Sequence, residues 1–324
     1  MQLKSCEGNP FLSVAPIRSL HEGKMVRRTT IIEAPRLSKK LNANVILASE
    51  TFQLTGSFKF RAAYHLASNV PQKLIITASS GNFGQALACA CSILKKTSIV
   101  VMPTTSAKVK VDAVKEFGGI VEFVDVREKG RAERVAELAA KHPEAYVASA
   151  YDDPLVIEGN ASLGRELAGL GKTFDSVLVP VGGGGLSSGI VQGIRDSGKK
   201  IAVIGAEPQL GNDAARSLKE GKIVRNDTEP DTIADGARTV SLGEHNWAIL
   251  KEGLERIVEV PEKQIAEGVR VLFSLANLKA EPTGALGIGA LLREPEKFSG
   301  RSVCVVVSGG NVDPAVYTKI LSGS

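Results

Sequence analysis

SVLVPVGGGGLSSG, residues 176–189, changes character halfway along. Its first residues are apolar and β-prone without alternation, which is the pattern of a strand buried on both faces. Gly182, Gly183, Gly184 and Gly185 then permit a tight turn and close backbone approach, and a helical pattern opens at Leu186. A strand that hands over to a helix through glycines points successive N–H groups at the positive helix end. That is an anion cradle, most naturally for a phosphate. No G-x-G-x-x-G is present, because Leu186, Ser187 and Ser188 occupy the positions the third glycine would need. No G-x-x-x-x-G-K-[ST] occurs either, since Glu166 stands where the first glycine of GLGKT would fall. Dinucleotide and nucleoside-triphosphate loops are therefore disfavoured.

The same strand-then-helix alternation extends outward in both directions. Apolar runs begin at Leu74 (LIIT), Ser98 (SIVVM), Ile120 (IVEFVDV), Ile201 (IAVIGAE) and Val303 (VCVVV), with helical patterns such as NFGQALACACSILKK, SAKVKVDAVKEFGG and GRAERVAELAAKH between them. This predicts a doubly wound α/β architecture with parallel strands, whose ligands collect at the carboxyl ends of the strands. Two more of these ends carry Gly/Ser turns: ASSGNFGQ after LIIT and SGGN after VCVVV. No repeat or long linker is present, so a second domain is expected to be woven into the first.

The bulk composition sets outer bounds. A chain of 324 residues, 43% hydrophobic and 23% charged, is ordinary for a globular protein, and its length suggests two domains. A net charge of +5 without a dense Lys/Arg run interleaved with aromatics argues against a nucleic-acid partner. No apolar stretch is long enough to span a bilayer, and MQLKSCEGNPF lacks the apolar core of a signal peptide, so a cytoplasmic protein is expected. Of the four cysteines, Cys6, Cys89, Cys91 and Cys304, only Cys89 and Cys91 are close. They sit two apart in an apolar helical run, which predicts reduced core thiols rather than metal ligands.

Chemistry centres on LTGSFKFR, residues 54–61. Read alone, Lys59 fits a solvated lysine at a helix start as well as a nucleophile, although Phe58 and Phe60 make a polar surface less comfortable. Ser79, Ser80, Gly81, Asn82 and Ser308 are likewise compatible with plain turns.

In combination, TGSFKFRAA, SSGNFGQ, PVGGGGLSSG, AEPQLGND, IADG, EPTGALG and SGGN carry a resemblance that covers residues 51–311. The chain resembles the fold-type II pyridoxal-phosphate enzymes, in particular the serine/threonine dehydratase and serine racemase branch, and the family's short members that lack a regulatory extension. The resemblance implies a tryptophan synthase beta-like fold of two open α/β domains with the cofactor between them. Residues 1–73 and 152–324 would form the large cofactor-binding domain, and 74–151 a small domain inserted in it. It also implies a homodimer and an amino-acid substrate.

The same resemblance implies residue roles. Lys59 would carry pyridoxal 5'-phosphate covalently and later act as base. Backbone N–H groups of Gly182 to Leu186 would hold the phosphate, and Asn82 the ring hydroxyl. Phe58 and Gly236 would flank the ring, and Ser308 would meet its nitrogen. The turn Ser79, Ser80, Gly81, Asn82, Phe83 would receive the substrate carboxylate. Ser80 is the racemase-like choice at its position, where a plain turn serine is the alternative. Arg131 stands about where some relatives bind substrate, which would favour a second carboxylate, although most helix arginines merely solvate. Glu207, the Gly211 carbonyl and Asp213 match a divalent-cation site suited to Mg²⁺ or Ca²⁺.

The expected reaction is β-elimination converting an L-3-hydroxy amino acid (serine, threonine or a close relative) to a 2-oxo acid and ammonia. Racemisation of serine or aspartate, and dehydration of 3-hydroxyaspartate or an aromatic 3-hydroxy amino acid, are the alternatives. β-Replacement, non-catalytic phosphate binding and dinucleotide redox chemistry fit the motifs less well. Three departures from the family pattern are expected near the substrate: Phe83 for histidine, Arg61-Ala-Ala for R-G-A, and Gly159-Asn-Ala-Ser162 for G-Q-G-T.

Overall fold

All six apolar runs form strands, and four more complete two separate sheets in the computed structural model, which describes residues 25–106 and 108–323. Cys6 and the N-terminal MQLKSCEGNPF lie outside the described residues. In chain order the strands are β1 (Thr30–Glu33), β2 (Asn44–Ser49), β3 (Leu74–Ala78), β4 (Thr97–Pro103), β5 (Ile120–Val124), β6 (Tyr146–Ala148), β7 (Ser176–Pro180), β8 (Ala202–Pro208), β9 (Arg256–Val260) and β10 (Ser302–Val307). The larger sheet runs β1-β2-β10-β7-β8-β9 and the smaller β5-β4-β3-β6. Every pair is parallel except β1 with β2. That antiparallel edge departs from the parallel expectation. An edge strand answers to a single neighbour, and Thr30–Glu33 is half-buried at most.

Strand β10 shows why continuous apolar runs were required. Val303, Val305 and Val307 pack into one core cluster while Cys304 and Val306 pack into another on the opposite face. Successive side chains alternate faces, so covering both faces with helices buries them all. Pairing of Val303 with Ser176 and of Val305 with Leu178 sets the ends of β10 and β7 side by side, so Ser308 and the glycine turn emerge together. In the smaller sheet β3 lies between β4 and β6 and delivers Ser79 from its carboxyl end.

Helix Lys59–Asn69 packs its Phe60, Ala62, Leu66 and Ala67 with Ile75, Phe83 and Leu87 of the smaller-sheet region. It also touches helix Pro154–Ala168, where a Cβ on Gly159 would fall 2.7 Å from the Arg61 carbonyl oxygen. That second helix packs on helix Gly185–Asp196 just as closely, since a Cβ on Gly193 would fall 2.2 Å from the Ala161 oxygen.

Arg61 is fully buried and fully bonded. Its Nε donates to Glu50 Oε2 (2.7 Å) and Nη2 to Glu50 Oε1 (2.9 Å), while Nη1 donates to Glu166 Oε1 (2.9 Å) and Ser162 Oγ (3.0 Å). Asn160 Nδ2 donates to the Gly185 carbonyl at 3.0 Å. Two of the three departures from the family pattern, Ala62 after Arg61 and Gly159–Ser162, thus lie at a helix contact outside the cleft lining, which corrects the expectation that they lie at the substrate. Only Phe83 of the three lines the cleft described below.

Cys89, Cys91 and Cys304 are buried free thiols, as expected, and burial pushes them up to about 11, about 12 and about 12 respectively. Among the described residues no helix is long and apolar enough to cross a membrane.

Candidate active site

A cleft of about 1070 Å³ opens where the carboxyl ends of the two sheets face each other. Phe58, Lys59, Ser79, Ser80, Gly81, Asn82, Phe83, Arg131, Gly236 and Ser308 all line it, so the structure brings these sequence-read residues together from five segments of the chain.

Lys59 opens its helix, and its Nζ donates to the Ala150 carbonyl at 2.6 Å. The amine also lies 5.1 Å from the centre of the Phe58 ring and 5.6 Å from that of Phe83. Burial lowers it to about 8, against the opposing pull of Glu281. Desolvation disfavours the ammonium more than one carboxylate restores it. Glu281 is itself pushed up to about 8, by burial first and the charge of Asp235 second. Near pH 8 a substantial share of the amine is therefore neutral, which is the state in which an amine can attack a carbonyl.

Asn82 is held from both ends. Its Nδ2 donates to both Glu281 oxygens (2.9 and 3.1 Å), and its Oδ1 accepts from Asn311 Nδ2 (2.8 Å) and Gln85 Nε2 (3.1 Å). The amide orientation is thus fixed by its neighbours. Ser79 Oγ accepts from the N–H groups of Gly84 (3.0 Å) and Gly81 (3.3 Å), so it caps helix Asn82–Ile93 as well as facing the cleft.

Gly182 to Leu186 do not line the open wall; Gly183 and Gly185 sit against Tyr151, Gly182 against Ala237 and Gly184 against Asn246. A Cβ on Gly183 would fall 2.3 Å from the Tyr151 ring, and Gly184 has φ of 96° where it starts helix Gly185–Asp196. The carbonyls of Gly183, Gly184 and Gly185 accept from Asn246 Nδ2, Ser187 Oγ and Asn160 Nδ2. The turn stands at the positive end of helix Gly185–Asp196.

The buried Ser308 hydroxyl has no hydrogen-bond partner among the described residues. An orphaned hydroxyl, a glycine cradle and a lysine inclined to neutrality together fit pyridoxal phosphate. When bound, that group supplies an aldehyde for the lysine and an acceptor for the electrons released at a substrate α-carbon.

The proposed cation ligands lie apart from the cleft. The Glu207 carboxylate accepts from the N–H groups of Ala214 and Ala215, both at 2.9 Å, and Asp213 Oδ1 accepts from Asn226 Nδ2 at 3.0 Å. Burial and then the charge of Asp213 push Glu207 well above the usual carboxylate range, and burial pushes Asp213 up to about 7. Asp213 Oδ2 is buried and has no hydrogen-bond partner among the described residues. Two crowded carboxylates with a spare oxygen suit a hard cation. No cluster of three or more His, Cys, Asp or Glu able to hold a metal occurs among the described residues, so such a site would need the Gly211 carbonyl and water.

Sequence reading did not single out Glu281, Asn311, Tyr151, Lys110, Glu229 or Asp235, all of which line the cleft. Glu281 and Asn311 fall inside quoted motifs without an assigned task, and Tyr151 and Glu229 carry no local signal.

A family model for pyridoxal-phosphate dependent enzymes matches residues 24–309. Over 300 residues the chain is 36% identical to an L-threo-3-hydroxyaspartate ammonia-lyase of Pseudomonas sp, covering 91% of this chain and 93% of that protein. It is 33% identical over 303 residues to a serine racemase of Schizosaccharomyces pombe, covering 92% and 93%. The crystal structure of a T.th. threonine deaminase superposes with a TM-score of 0.84 at 36% identity, covering 89% of this chain and 94% of that one. The chain belongs to the pyridoxal-phosphate-dependent enzymes of fold type II. Its relatives there are ammonia-lyases and racemases, and it is an enzyme of this type.

The amine of Lys59 has a testable consequence. In cofactor-free protein the rate of pyridoxal-phosphate capture, followed by visible absorbance, is expected to rise about tenfold per pH unit and to level near pH 8. The sign follows from burial, since the neutral amine dominates above about 8. A lysine at its ordinary value would continue to gain rate beyond pH 10.

Proposed function

We propose that the protein is an ammonia-lyase that eliminates water from an L-3-hydroxy amino acid and releases a 2-oxo acid and ammonia, with 3-hydroxyaspartate as the substrate its cleft favours. The observation that carries the choice is Arg131, a guanidinium in the cleft wall facing the same space as Lys59. Serine and threonine have nothing to offer it, whereas the second carboxylate of 3-hydroxyaspartate does. The names of the relatives at 36% and 34% identity, both L-threo-3-hydroxyaspartate ammonia-lyases, support this reading.

In this reading the Lys59 amine takes the α-proton as general base, and the Ser79–Gly84 turn holds the α-carboxylate. The N–H groups of Gly182 to Leu186 would hold the cofactor phosphate, Asn82 would meet its ring hydroxyl, and Phe58 and Gly236 would flank its ring. Ser308 would offer its nitrogen a neutral hydroxyl, which adds no charge to keep a proton there and would favour quick departure of a β-leaving group. Glu207, the Gly211 carbonyl and Asp213 would hold Mg²⁺ or Ca²⁺ in a supporting role. The β-hydroxyl leaves as water, and a second water releases ammonia from the enamine product, so the overall change needs no oxidant.

Ser80 favours a second reading. Its hydroxyl lines the same cleft and could protonate the α-carbon from the face opposite Lys59, as amino-acid racemisation requires. Incubating the cofactor-loaded enzyme with L-serine, L-threonine and L-threo- and L-erythro-3-hydroxyaspartate separates the readings. The highest kcat/KM for 2-oxo acid formation is expected with a hydroxyaspartate. D-amino acid without oxo acid would favour the racemase, and preference for serine or threonine would remove Arg131 from the argument.

A further inference from the structure

Glu229 lies on an irregular stretch, residues 221–234, that is tethered on both sides of it. On one side the Asn226 N–H donates to the Val240 carbonyl at 2.7 Å and its side chain to Asp213 Oδ1 at 3.0 Å. On the other, the Thr232 hydroxyl bonds Glu262 at 2.6 Å. Between these tethers the chain brings Glu229 over the cleft, where it forms an ion pair with Arg131. Arg131 belongs to helix Arg131–Lys141, whose Val135 and Leu138 pack with Ile76, Ile99 and Val101 of the smaller sheet. The pair therefore joins the two walls of the cleft. A second ion pair, Lys110 with Asp235, crosses between the same walls.

The guanidinium that would receive a substrate carboxylate is thus already bonded to a carboxylate of the protein. The Arg131 side chain is 32% exposed and that of Glu229 is 52% exposed. A pair so open to water is weak enough to exchange, yet it still occupies the arginine. We propose that Glu229 is a specificity-determining residue, a placeholder that keeps Arg131 in the cleft wall and is displaced by the distal carboxylate of a dicarboxylic substrate. This rests on the reading of Arg131 given above. A carboxylate replacing a carboxylate leaves the charge at the arginine balanced. The hydroxymethyl group of serine offers no such exchange, so the pair stays closed over it.

Glu229→Gln removes the competing charge and keeps the size of the side chain. In the holoenzyme at low salt it is expected to lower KM for L-threo-3-hydroxyaspartate about two- to five-fold with kcat unchanged, and to leave L-serine kinetics as they were. Succinate, a dicarboxylate that cannot react, should bind tighter by the same factor in calorimetry, with the gain fading as salt rises. Asp231→Asn, which neutralises an exposed acid on the same stretch, should change neither value. An equal shift for serine and hydroxyaspartate would overturn the proposal, because the pair would then act on cleft opening rather than on selectivity. No shift in Glu229→Gln, while Arg131→Gln selectively weakens hydroxyaspartate and succinate, would overturn the placeholder and leave the role of Arg131 standing. Undiminished dicarboxylate preference in Arg131→Gln would sink both.

Discussion

Lys59→Ala is expected to lose at least about 10³-fold in kcat for 2-oxo acid formation, while its circular dichroism and urea midpoint stay close to those of the parent. In the proposed reaction the amine does two things that no neighbour can replace, capturing the cofactor covalently and taking the α-proton. Glu281, which holds its proton up to about pH 8, is a poor base at neutral pH. Ala150 offers the Lys59 amine only a backbone carbonyl. Lys59→Arg is the informative companion, because it keeps a cation between Phe58 and Phe83 but has no amine that loses its proton. Both variants should take up pyridoxal phosphate without the absorbance of the covalent form. Oxo acid release by either at more than a few per cent of the parental rate would dismiss Lys59 as the reacting residue.

Arg61→Met should be the most destabilising single change outside the cleft, costing about 3–5 kcal/mol in urea unfolding. Glu50 is fully buried and takes two hydrogen bonds from Arg61, so the variant strands an acid where water cannot reach it. Burial already raises Glu50 despite the arginine. Without Arg61 it rises further, and a carboxyl whose folded value lies above its unfolded one is most favourable to folding at low pH. The penalty is therefore expected to shrink as pH falls and to be largest where Glu50 is ionised in the unfolded chain. Glu50→Gln combined with Arg61→Met should recover much of the loss. A single-variant cost below about 1 kcal/mol would mean that the cluster is hydrated or rearranges.

What the sequence disclosed follows from how far each interaction reaches along the chain. Strands β3, β4, β7, β8 and β10 were legible because burial on both faces demands uninterrupted apolar residues, and β5, an edge strand that exposes Ile120 and Phe123, because its residues are β-prone. Strand β6 spans only Tyr146–Ala148, β9 alternates as RIVEV, and β1 is a half-buried edge, so none makes such a run. Strand β2, Asn44–Ser49, is buried over its last five residues and carries in VILA the same signal as the legible strands. In the cleft, Lys59, Asn82 and Ser308 were found through their motifs. Glu281 meets Asn82 across 199 positions of sequence, and Glu229 meets Arg131 across 98, distances at which no local pattern announces a partner. Tyr151 against Gly183 is likewise a product of the fold alone.

The three helices Lys59–Asn69, Pro154–Ala168 and Gly185–Asp196 touch backbone to backbone at Gly159, Gly164, Gly189 and Gly193. The first of these helices begins at Lys59 and the last at the glycine turn, the two places proposed for the ends of the cofactor. Their spacing would therefore work as a gauge block between them. Phe83, Arg131 and Glu229 stand outside that block, on elements joined to it by other contacts. A change at one of these side chains would therefore alter the proposed choice of amino acid while leaving the helix contacts that set the gauge in place.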